Sequence, residues 1–243
     1  MTTRIAMWSG PRNISTAMMR SFEARGDCAV SDEPLYAHYL KHTELDHPMK
    51  DEVMASQPTK WQPVIQSLRS DSPEQKPIWY QKHMTHHLLP HIDRAWMKEV
   101  RHCFLIRAPK EVLSSYSKSR ADVTLDDLGF EAQAEIFDWV SRVVGHNPVV
   151  VDSNDVLKNP EQMLQKICGA LEIPYSEKML SWEPGIRESD GVWASHWYKN
   201  VMDSTGFAPY RERTPDYPEH LAPIAEAAQP FYEPLFEKRI QLS

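Results

Sequence analysis

Five short apolar runs limit the folds open to this chain more than any other feature of its sequence. They lie at residues 5–8, 28–31, 78–81, 103–106 and 149–151, and long segments with helical spacing separate most of them. Short apolar runs that alternate with helices are typical of a parallel sheet whose two faces are both covered. We therefore predict an α/β protein in which the sheet is the middle layer of a three-layer α/β/α sandwich.

Two of the connecting segments have clear helical patterns. Residues 131–144 and residues 161–171 each carry one apolar stripe at helical spacing. Residues 42–76 are polar and interrupted by prolines, so this long connection is an expected lid or substrate loop. Near the end of the chain, Pro223 and Pro230 are expected to interrupt the last helical pattern.

Composition and charge exclude several classes of protein. The 243-residue chain is 41% hydrophobic and 25% charged, which is ordinary for one soluble domain over residues 1–243. Its net charge of −7 argues against a nucleic-acid or membrane-surface binder, which would carry a basic excess. No apolar run has the length of a transmembrane helix or of a signal-peptide core, so we expect a cytoplasmic protein. Cys28, Cys103 and Cys168 are far apart in apolar surroundings and are expected to be reduced core thiols.

The first apolar run leads into a candidate anion-binding loop. It ends at Gly10 and Pro11, and after Arg12, Ser15 and Thr16 the spacing becomes helical. A strand, a tight loop and a helix N-terminus direct backbone N–H groups and the helix dipole at an anion, so we predict a P-loop-type sheet with a phosphate-like ligand. In the Walker A pattern G-x-x-x-x-G-K-[ST], Ser15 and Thr16 replace the second Gly and the Lys, so ATP is not the expected ligand.

A second candidate anion site follows the fourth run. Arg107 stands at the carboxyl end of a predicted strand, where open α/β sheets bind ligands, and Ser115 lies eight residues later on a predicted helix. A bidentate guanidinium and a helical hydroxyl could together bind a phosphate group. An Arg at a strand end is more often a salt-bridge partner, but its pairing with the first loop favours binding.

These two features resemble motifs of the sulfotransferases that use 3′-phosphoadenosine 5′-phosphosulfate (PAPS). Residues 11–17 lie position for position on the 5′-phosphosulfate loop P-K-S-G-T-T-W of that family. Arg107, Pro109 and Ser115 match its 3′-phosphate motif R-x-P-x-x-x-x-x-S. The resemblance implies that PAPS, whose product is adenosine 3′,5′-bisphosphate, is bound by Gly10, Pro11, Arg12, Asn13, Ile14, Ser15, Thr16, Arg107 and Ser115.

Two further segments resemble the same family and bear on catalysis. Residues 81–90 resemble the K-T-H-x-P-x-x-L-L-P segment of the cytosolic branch, in which the proposed base corresponds to His83. Residues 32–36 resemble the E-P-[LV]-[WY] segment of carbohydrate-type members, in which a carboxylate corresponds to Glu33. The resemblance therefore implies His83 as general base, Glu33 as its rival, and Arg12 as the cation that neutralises charge on the leaving group.

The chain also departs from the family's pattern. Ile14 replaces the loop Gly, so the backbone there is expected to keep a negative φ. The downstream R-K-G phosphate clamp has only a distant counterpart at Arg187, which we include among the donor-binding residues. His83, His87 and His91 would share one face of a helix, but no carboxylate or Cys near them completes a zinc set, so no metal site is predicted.

The expected function is sulfuryl transfer from PAPS to a hydroxyl or amine of a small acceptor. Two alternatives stay open: a P-loop kinase that uses ATP, and a catalytically silent nucleotide-binding module, which the change at Ile14 would suit. We expect no nucleic-acid or membrane partner, and a homodimer stays open. Six aromatic side chains could line an acceptor pocket or pack in the core: Trp61, Trp79, Tyr80, Trp193, Trp197 and Tyr198.

Overall fold

All five predicted strands are present in the computed structural model, which describes residues 2–120, 122–145, 148–212 and 214–242. Each strand contains its predicted run and is one to three residues longer. The strands are β1 Thr3–Ser9, β2 Cys28–Asp32, β3 Ile78–Met84, β4 Arg101–Ile106 and β5 Val149–Asp152. Most of their side chains are buried, because helices cover the sheet on both faces.

The strands form one parallel sheet in the order β2-β3-β1-β4-β5. After β1 the chain builds β2 and β3 on one side of that strand, and then β4 and β5 on the other side. This reversal makes the carboxyl end of β1 a topological switch point, the place where open α/β sheets bind ligands. The predicted anion-binding loop follows β1 directly and so lies at the switch point.

Helices connect the strands, and further helices follow β5. They are α1 Ser15–Ala24, α2 Tyr36–Thr43, α3 Lys50–Ser56, α4 Trp61–Arg69, α5 Pro109–Tyr116, α6 Leu125–Leu128, α7 Phe130–Val143, α8 Ser153–Lys158, α9 Pro160–Ala170, α10 Ala194–Trp197, α11 Lys199–Met202 and α12 Ala222–Glu237. Short 3₁₀ segments lie at Pro73–Gln75, Thr85–His87, Ala95–Glu99, Glu177–Leu180 and Glu219–Leu221. Within the described ranges, no helix combines the length and the apolar character needed to cross a membrane.

Two apolar clusters pack against the two faces of the sheet. Helices α4, α5, α7 and α12 contribute to one cluster, and α1, α8 and α9 contribute to the other. The second cluster also contains all three cysteines, which are buried free thiols. The predicted α/β/α sandwich with a P-loop-type parallel sheet is therefore confirmed.

The helical predictions differ in how well they agree with the structure. Helices α7 and α9 begin and end one residue before the predicted segments. Residues 42–76, expected to form a lid or substrate loop, contain α3 and α4, and α4 buries Val64, Ile65 and Leu68 in the core. Part of this connection therefore belongs to the helical layer of the fold.

The prediction that Pro230 interrupts the last helix is wrong. Helix α12 continues through Pro230 and Pro234, while Pro223 lies in its first turn, where a missing N–H costs nothing. Its buried face and a 3.0 Å hydrogen bond from the Tyr232 hydroxyl to Asp152 hold the helix against the sheet. Tertiary packing therefore outweighs the helix-breaking tendency of the prolines.

Candidate functional site

A cleft of about 400 Å³ opens where the loop after β1 meets the ends of the neighbouring strands. Its walls come from that loop, from the segments after β2 and β3, from Arg107 and α5, and from residues 197–201. The volume is that of a small-ligand site. The cleft therefore lies at the topological switch point of the sheet.

The loop after β1 presents the N-terminus of α1 to this cleft. Pro11 to Thr16 all line the cleft, and in the part of the chain that the structure describes no side chain caps α1. The first N–H groups of the helix therefore remain available to an anion. Gly10 lies outside the lining, and a Cβ at this position would be only 2.5 Å from the carbonyl oxygen of Leu128. Close packing, and not contact with the cleft, explains this glycine.

Three residues of the cleft have left-handed backbone conformations. The φ angles are 64° at Arg12, 55° at Ile14 and 40° at Glu33. The expectation of a negative φ at Ile14 is wrong: the chain keeps the conformation of a loop glycine with a β-branched residue, at a cost of about 1–2 kcal/mol. The Ile14 side chain packs partly against the apolar cluster beneath α1, which helps to hold this conformation. Backbone strain of this kind concentrates at binding and catalytic sites.

The two predicted anion motifs meet in the cleft. Nε of Arg12 donates to Oγ of Ser115 at 2.9 Å, and Nη1 of Arg107 donates to the carbonyl oxygen of Arg12 at 2.9 Å. Arg107 also pairs with Glu111, whereas among the described residues no carboxylate contacts Arg12. Burial, followed by the charge of Arg107, lowers the pKa of the Arg12 guanidinium. An anion in the cleft would supply the missing counter-charge.

Lys82 of β3 forms the centre of a buried polar network beside these motifs. Its Nζ donates to Asp32 Oδ1 at 2.8 Å, to Glu33 Oε1 at 2.6 Å and to the Tyr198 hydroxyl oxygen at 2.5 Å. The Tyr198 hydroxyl donates in turn to the Asp32 carboxylate. Burial alone would lower the pKa of Lys82, but Asp32 and Glu33 raise it well above its ordinary value. Lys82 is therefore a permanent ammonium that fixes both carboxylates.

Glu33 uses one carboxylate oxygen for this network and keeps the other beside a cleft histidine. Oε1 accepts from Lys82, while Oε2 lies 4.0 Å from Nδ1 of His87, and both Glu33 and His87 line the cleft. Burial raises the pKa of Glu33, although the Lys82 ammonium opposes this effect. A carboxylate with a raised pKa is a stronger proton acceptor, which suits a general base.

His87 is held as a neutral ring at the same place. It stacks between Tyr36 and Tyr39, with ring centroids 4.6 Å and 4.7 Å away. Burial, followed by neighbouring His86, lowers the pKa of His87 well below its ordinary value. Within the described ranges its buried Nδ1 makes no hydrogen bond, so this atom is available for a hydrogen bond to a bound ligand or to Glu33.

His83, the base that the resemblance implies, lies outside the cleft. It is 2% exposed, stacks on Trp8 with ring centroids 4.6 Å apart, and lies near Trp96. Burial lowers its pKa to about 3, so the ring is neutral near pH 7. Successive side chains of a strand point to opposite faces of the sheet. At the end of β3 it is the side chain of Lys82 that points to the face with the cleft, and His83 points to the other face. The structure therefore does not bring His83 to Arg12 and Arg107.

Arg187 also lies away from the cleft. Its guanidinium donates to the carbonyl oxygen of Glu183 at 2.6 Å and lies 4.0 Å from Glu23 of α1. Its backbone N–H donates to Asp190 at 2.8 Å, and Asp190 pairs with buried Arg20. Arg187 thus ties the segment around it to α1, and its predicted part in donor binding has no geometric support.

The six aromatic residues considered for an acceptor pocket lie in three different places. Among the aromatic residues, Trp197 and Tyr198 line the cleft, Trp61 lines a different groove, and Trp79, Tyr80 and Trp193 are core residues. The prediction that His83, His87 and His91 share one face of a helix is wrong, because β3 extends to Met84 and only a 3₁₀ turn follows it.

A family model described as a sulfotransferase domain matches residues 3–239. This chain belongs to the sulfotransferase domain family. Two curated Arabidopsis thaliana proteins, branched-chain-amino-acid aminotransferase-like proteins 1 and 2, are 35% and 33% identical to it over 228 residues. The matches cover 94% of this chain, which spans about 40% of the length of each of these relatives.

Solved structures show the same fold at low sequence identity. The sulfotransferase domain of the Synechococcus PCC 7002 olefin synthase has a TM-score of 0.55 at 18% identity, with 93% of this chain and 94% of that chain covered. A sulfotransferase from Alicyclobacillus acidocaldarius has a TM-score of 0.56 at 9% identity, with 99% and 98% covered. These similarities establish the sulfotransferase fold over nearly the whole chain.

Sequence reasoning missed several cleft residues of this sulfotransferase-family protein. Lys82 lies in the segment 81–90, where the resemblance draws attention to the next residue, His83. A lysine within an apolar strand nevertheless indicates a buried ion pair. In the sequence Tyr198 is one of several aromatic residues, and nothing local connects it to a lysine 116 residues earlier in the chain. Asn200 lies in a segment, residues 197–200, that resembles the R-K-G clamp only distantly, and His47 lines the cleft without a local motif to mark it.

Proposed function

We propose that this protein transfers a sulfuryl group from PAPS to a hydroxyl or amine of a small acceptor. The observation that carries the proposal is the meeting of Arg12, Arg107 and Ser115 at the uncapped start of α1. Arg12 lacks a carboxylate partner among the described residues, so the site has cationic capacity for an anionic donor. The family match over residues 3–239 supports the same reaction class.

The residues present fit the two anionic ends of such a donor. Arg12, Ser15, Thr16 and the first N–H groups of α1 would hold the phosphosulfate end, as helix N-termini hold anions elsewhere. Arg107 and the Ser115 hydroxyl would hold the 3′-phosphate by charge-assisted hydrogen bonds. When bound, PAPS would supply the sulfuryl group and leave as adenosine 3′,5′-bisphosphate.

In this proposal Glu33, and not His83, takes the proton from the acceptor. The acceptor oxygen or nitrogen forms the new bond to sulfur, the bond from sulfur to the phosphate oxygen breaks, and the acceptor proton passes to Oε2 of Glu33. Lys82 holds Oε1 and fixes the direction of the carboxylate. Arg12 then neutralises the charge that develops on the phosphate oxygen, an electrostatic role worth roughly 3–4 kcal/mol per donor.

The kinase alternative differs from this proposal in its ligand, and the silent-module alternative differs in turnover. A P-loop kinase needs a lysine where this loop has Thr16, and the cation of this loop, Arg12, comes four residues earlier. A silent module would keep ligand binding and lose transfer. We retain the predictions of a cytoplasmic protein and of one domain over residues 1–243, and a homodimer stays open.

A thermal-shift panel distinguishes a PAPS-type donor from ATP. Adenosine 3′,5′-bisphosphate without magnesium should raise the melting temperature, because ligand at a hundred times its Kd adds about 2.7 kcal/mol. Arg12→Ala should remove most of this shift, while Arg142→Ala, an exposed arginine on α7, should keep it. A larger shift with ATP and magnesium would instead favour the kinase, and no shift with the bisphosphate would overturn the proposed donor.

Turnover distinguishes the two candidate bases. The rate of sulfuryl transfer from PAPS to water, or to a surrogate phenol or amine, is measured by the adenosine 3′,5′-bisphosphate formed. It should fall roughly 10²–10⁴-fold in Glu33→Gln with bisphosphate binding retained. His83→Phe should stay near the wild-type rate because His83 is in the core. If His83→Phe loses more activity than Glu33→Gln, the base is His83 after all. Binding without turnover in the wild-type protein for every acceptor would favour the silent module.

A further inference from the structure

Three histidines form a cluster outside the cleft. His38 and His42 lie one turn apart on α2, and His91 comes from the loop after the 3₁₀ turn that follows β3. One ring nitrogen from each histidine lies within 4.8 Å of the other two, and Nε2 of His38 is 2.9 Å from Nε2 of His91. His38 is buried, while His42 and His91 are exposed. The cluster is therefore anchored in the protein and open to solvent on one side.

The hydrogen bonds of His38 leave a lone pair on its Nε2 that is directed at His91. Nδ1 of His38 lies 2.9 Å from the carbonyl oxygen of Thr59, and because a carbonyl can only accept, Nδ1 carries the proton. In this tautomer Nε2 carries the lone pair, and it can accept a hydrogen bond from Nε2–H of His91, 2.9 Å away. A metal-binding histidine typically has this arrangement, with the other ring nitrogen donating to a carbonyl that fixes its orientation.

We propose that His38, His42 and His91 bind a divalent transition-metal ion of the zinc type. Imidazole nitrogens are suitable ligands for zinc, copper and nickel, and three of them with one position open to water make a four-coordinate site. Bonds of about 2.0–2.1 Å in a tetrahedral site place ligand nitrogens roughly 3.3 Å apart. The 2.9 Å separation between His38 and His91 is thus within a few tenths of an ångström of the required spacing.

The ion would connect two segments of the chain directly and a third through His38. It would join α2 to the loop that contains His91, while His38 remains bonded to Thr59 in the connection between α3 and α4. Helix α2 also supplies Tyr36 and Tyr39, which sandwich His87 in the cleft. None of the three histidines lines the cleft, so the ion's role is to stabilise this wall and not to act on substrate.

Equilibrium dialysis of the untagged protein tests the site directly. One equivalent of Zn²⁺ should be retained, and Co²⁺ in its place should give the visible spectrum of a four-coordinate site. His42→Ala and His91→Ala should each weaken Zn²⁺ binding by at least about 100-fold, because losing even a supporting partner of a ligand costs 10–100-fold. Both side chains are exposed, so these variants should still fold.

The matched control is His220→Ala, which removes an exposed histidine outside the cluster. It should bind Zn²⁺ as tightly as the wild-type protein. Added Zn²⁺ should raise the melting temperature of the wild-type and His220→Ala proteins but not that of His91→Ala. No retained ion, or equal retention by His42→Ala, His91→Ala and His220→Ala, would overturn the proposal. The readouts involve no turnover, so they hold whatever the outcome for sulfuryl transfer.

Discussion

Replacing Lys82 by methionine should destabilise the fold strongly and make its stability depend on pH. Met is close to Lys in length and lacks the charge, so the main loss is the ammonium that contacts Asp32, Glu33 and Tyr198. The Lys82 and Asp32 side chains are each only 1% exposed, and that of Glu33 is 11% exposed, so water cannot replace the lost partner.

The expected loss is about 3–5 kcal/mol, the usual cost of removing one member of a buried ion pair. The network contains one ammonium and two carboxylates, so the variant leaves two like charges side by side with no compensating cation. A loss of this size is a large part of the ordinary 5–15 kcal/mol of folding stability. A second substitution, Glu33→Gln, should recover part of the loss because it removes one of the unpaired charges.

The dependence on pH follows from the same charges. In the wild-type protein the pKa of Lys82 is raised, so Lys82 is protonated in both states at pH 5–8, and its contribution disappears only as the pH rises through the folded-state pKa. In Lys82→Met, burial raises the pKa of Glu33 without the opposing ammonium. The folded variant then holds a proton that the unfolded chain has lost, and its stability falls with rising pH by up to about 1.4 kcal/mol per unit.

Urea denaturation from pH 5 to pH 8 measures both effects. Lys98→Met, which removes an exposed lysine, is the control and should change stability by less than about 0.5 kcal/mol. A Lys82→Met variant that loses less than about 1 kcal/mol would refute the account of Lys82 as a buried and essential counter-charge. A large loss with no pH slope would refute the proposed protonation of Glu33.

Three further outcomes are expected. Arg107→Ala should weaken the binding of adenosine 3′,5′-bisphosphate by about 10- to 150-fold in calorimetry, because a hydrogen bond to a charged group contributes about 1.5–3 kcal/mol. The binding of adenosine 5′-phosphosulfate should be affected less. Equal losses of affinity would make Arg107 a structural residue. Burial lowers the pKa of His83 to about 3, so below about pH 6.5 the unfolded chain binds a proton there that the folded protein does not, and native stability falls. His83→Phe should therefore reduce the loss of stability with falling pH in urea titrations. An unchanged pH dependence would assign the acid sensitivity to other groups. Gly10→Ala places a Cβ 2.5 Å from the Leu128 carbonyl oxygen and should cost about 1–3 kcal/mol by denaturation, whereas a wild-type midpoint would show that the contact yields freely.

The fold could be predicted from the sequence because its strands carry a local pattern. Buried parallel strands are apolar on both faces, so each of the five runs was visible without knowing its neighbours. The helix through Pro230 could not be predicted in this way, because its stability comes from packing against the sheet and from Tyr232. Local propensity indicates a break where tertiary contacts maintain a helix.

The site could be predicted from the sequence where its residues directly follow a parallel strand. Arg12 and Arg107 each follow a strand, and parallel strands bring their carboxyl ends to one edge, so the contact of Arg107 with the Arg12 carbonyl oxygen could be expected. His83 shows the limit of motif register: one residue along a strand reverses the face of a side chain, and Lys82 reaches the network instead. Arg187 lies in the C-terminal third, where no motif fixed the register.

Tyr198 has a consequence for the order in which the protein assembles during synthesis. A nascent chain that has been synthesised as far as residue 160 already contains both arginines, Glu33 and Lys82. It still lacks the Tyr198 hydroxyl, 116 residues after Lys82, which contacts both Lys82 and Asp32. Domains form largely as their chains emerge, and distant contacts form last. The charged centre is therefore shielded from water only after the final third of the chain has emerged, so a ribosome-stalled fragment would contain every recognisable motif and still have an open, hydrated lysine.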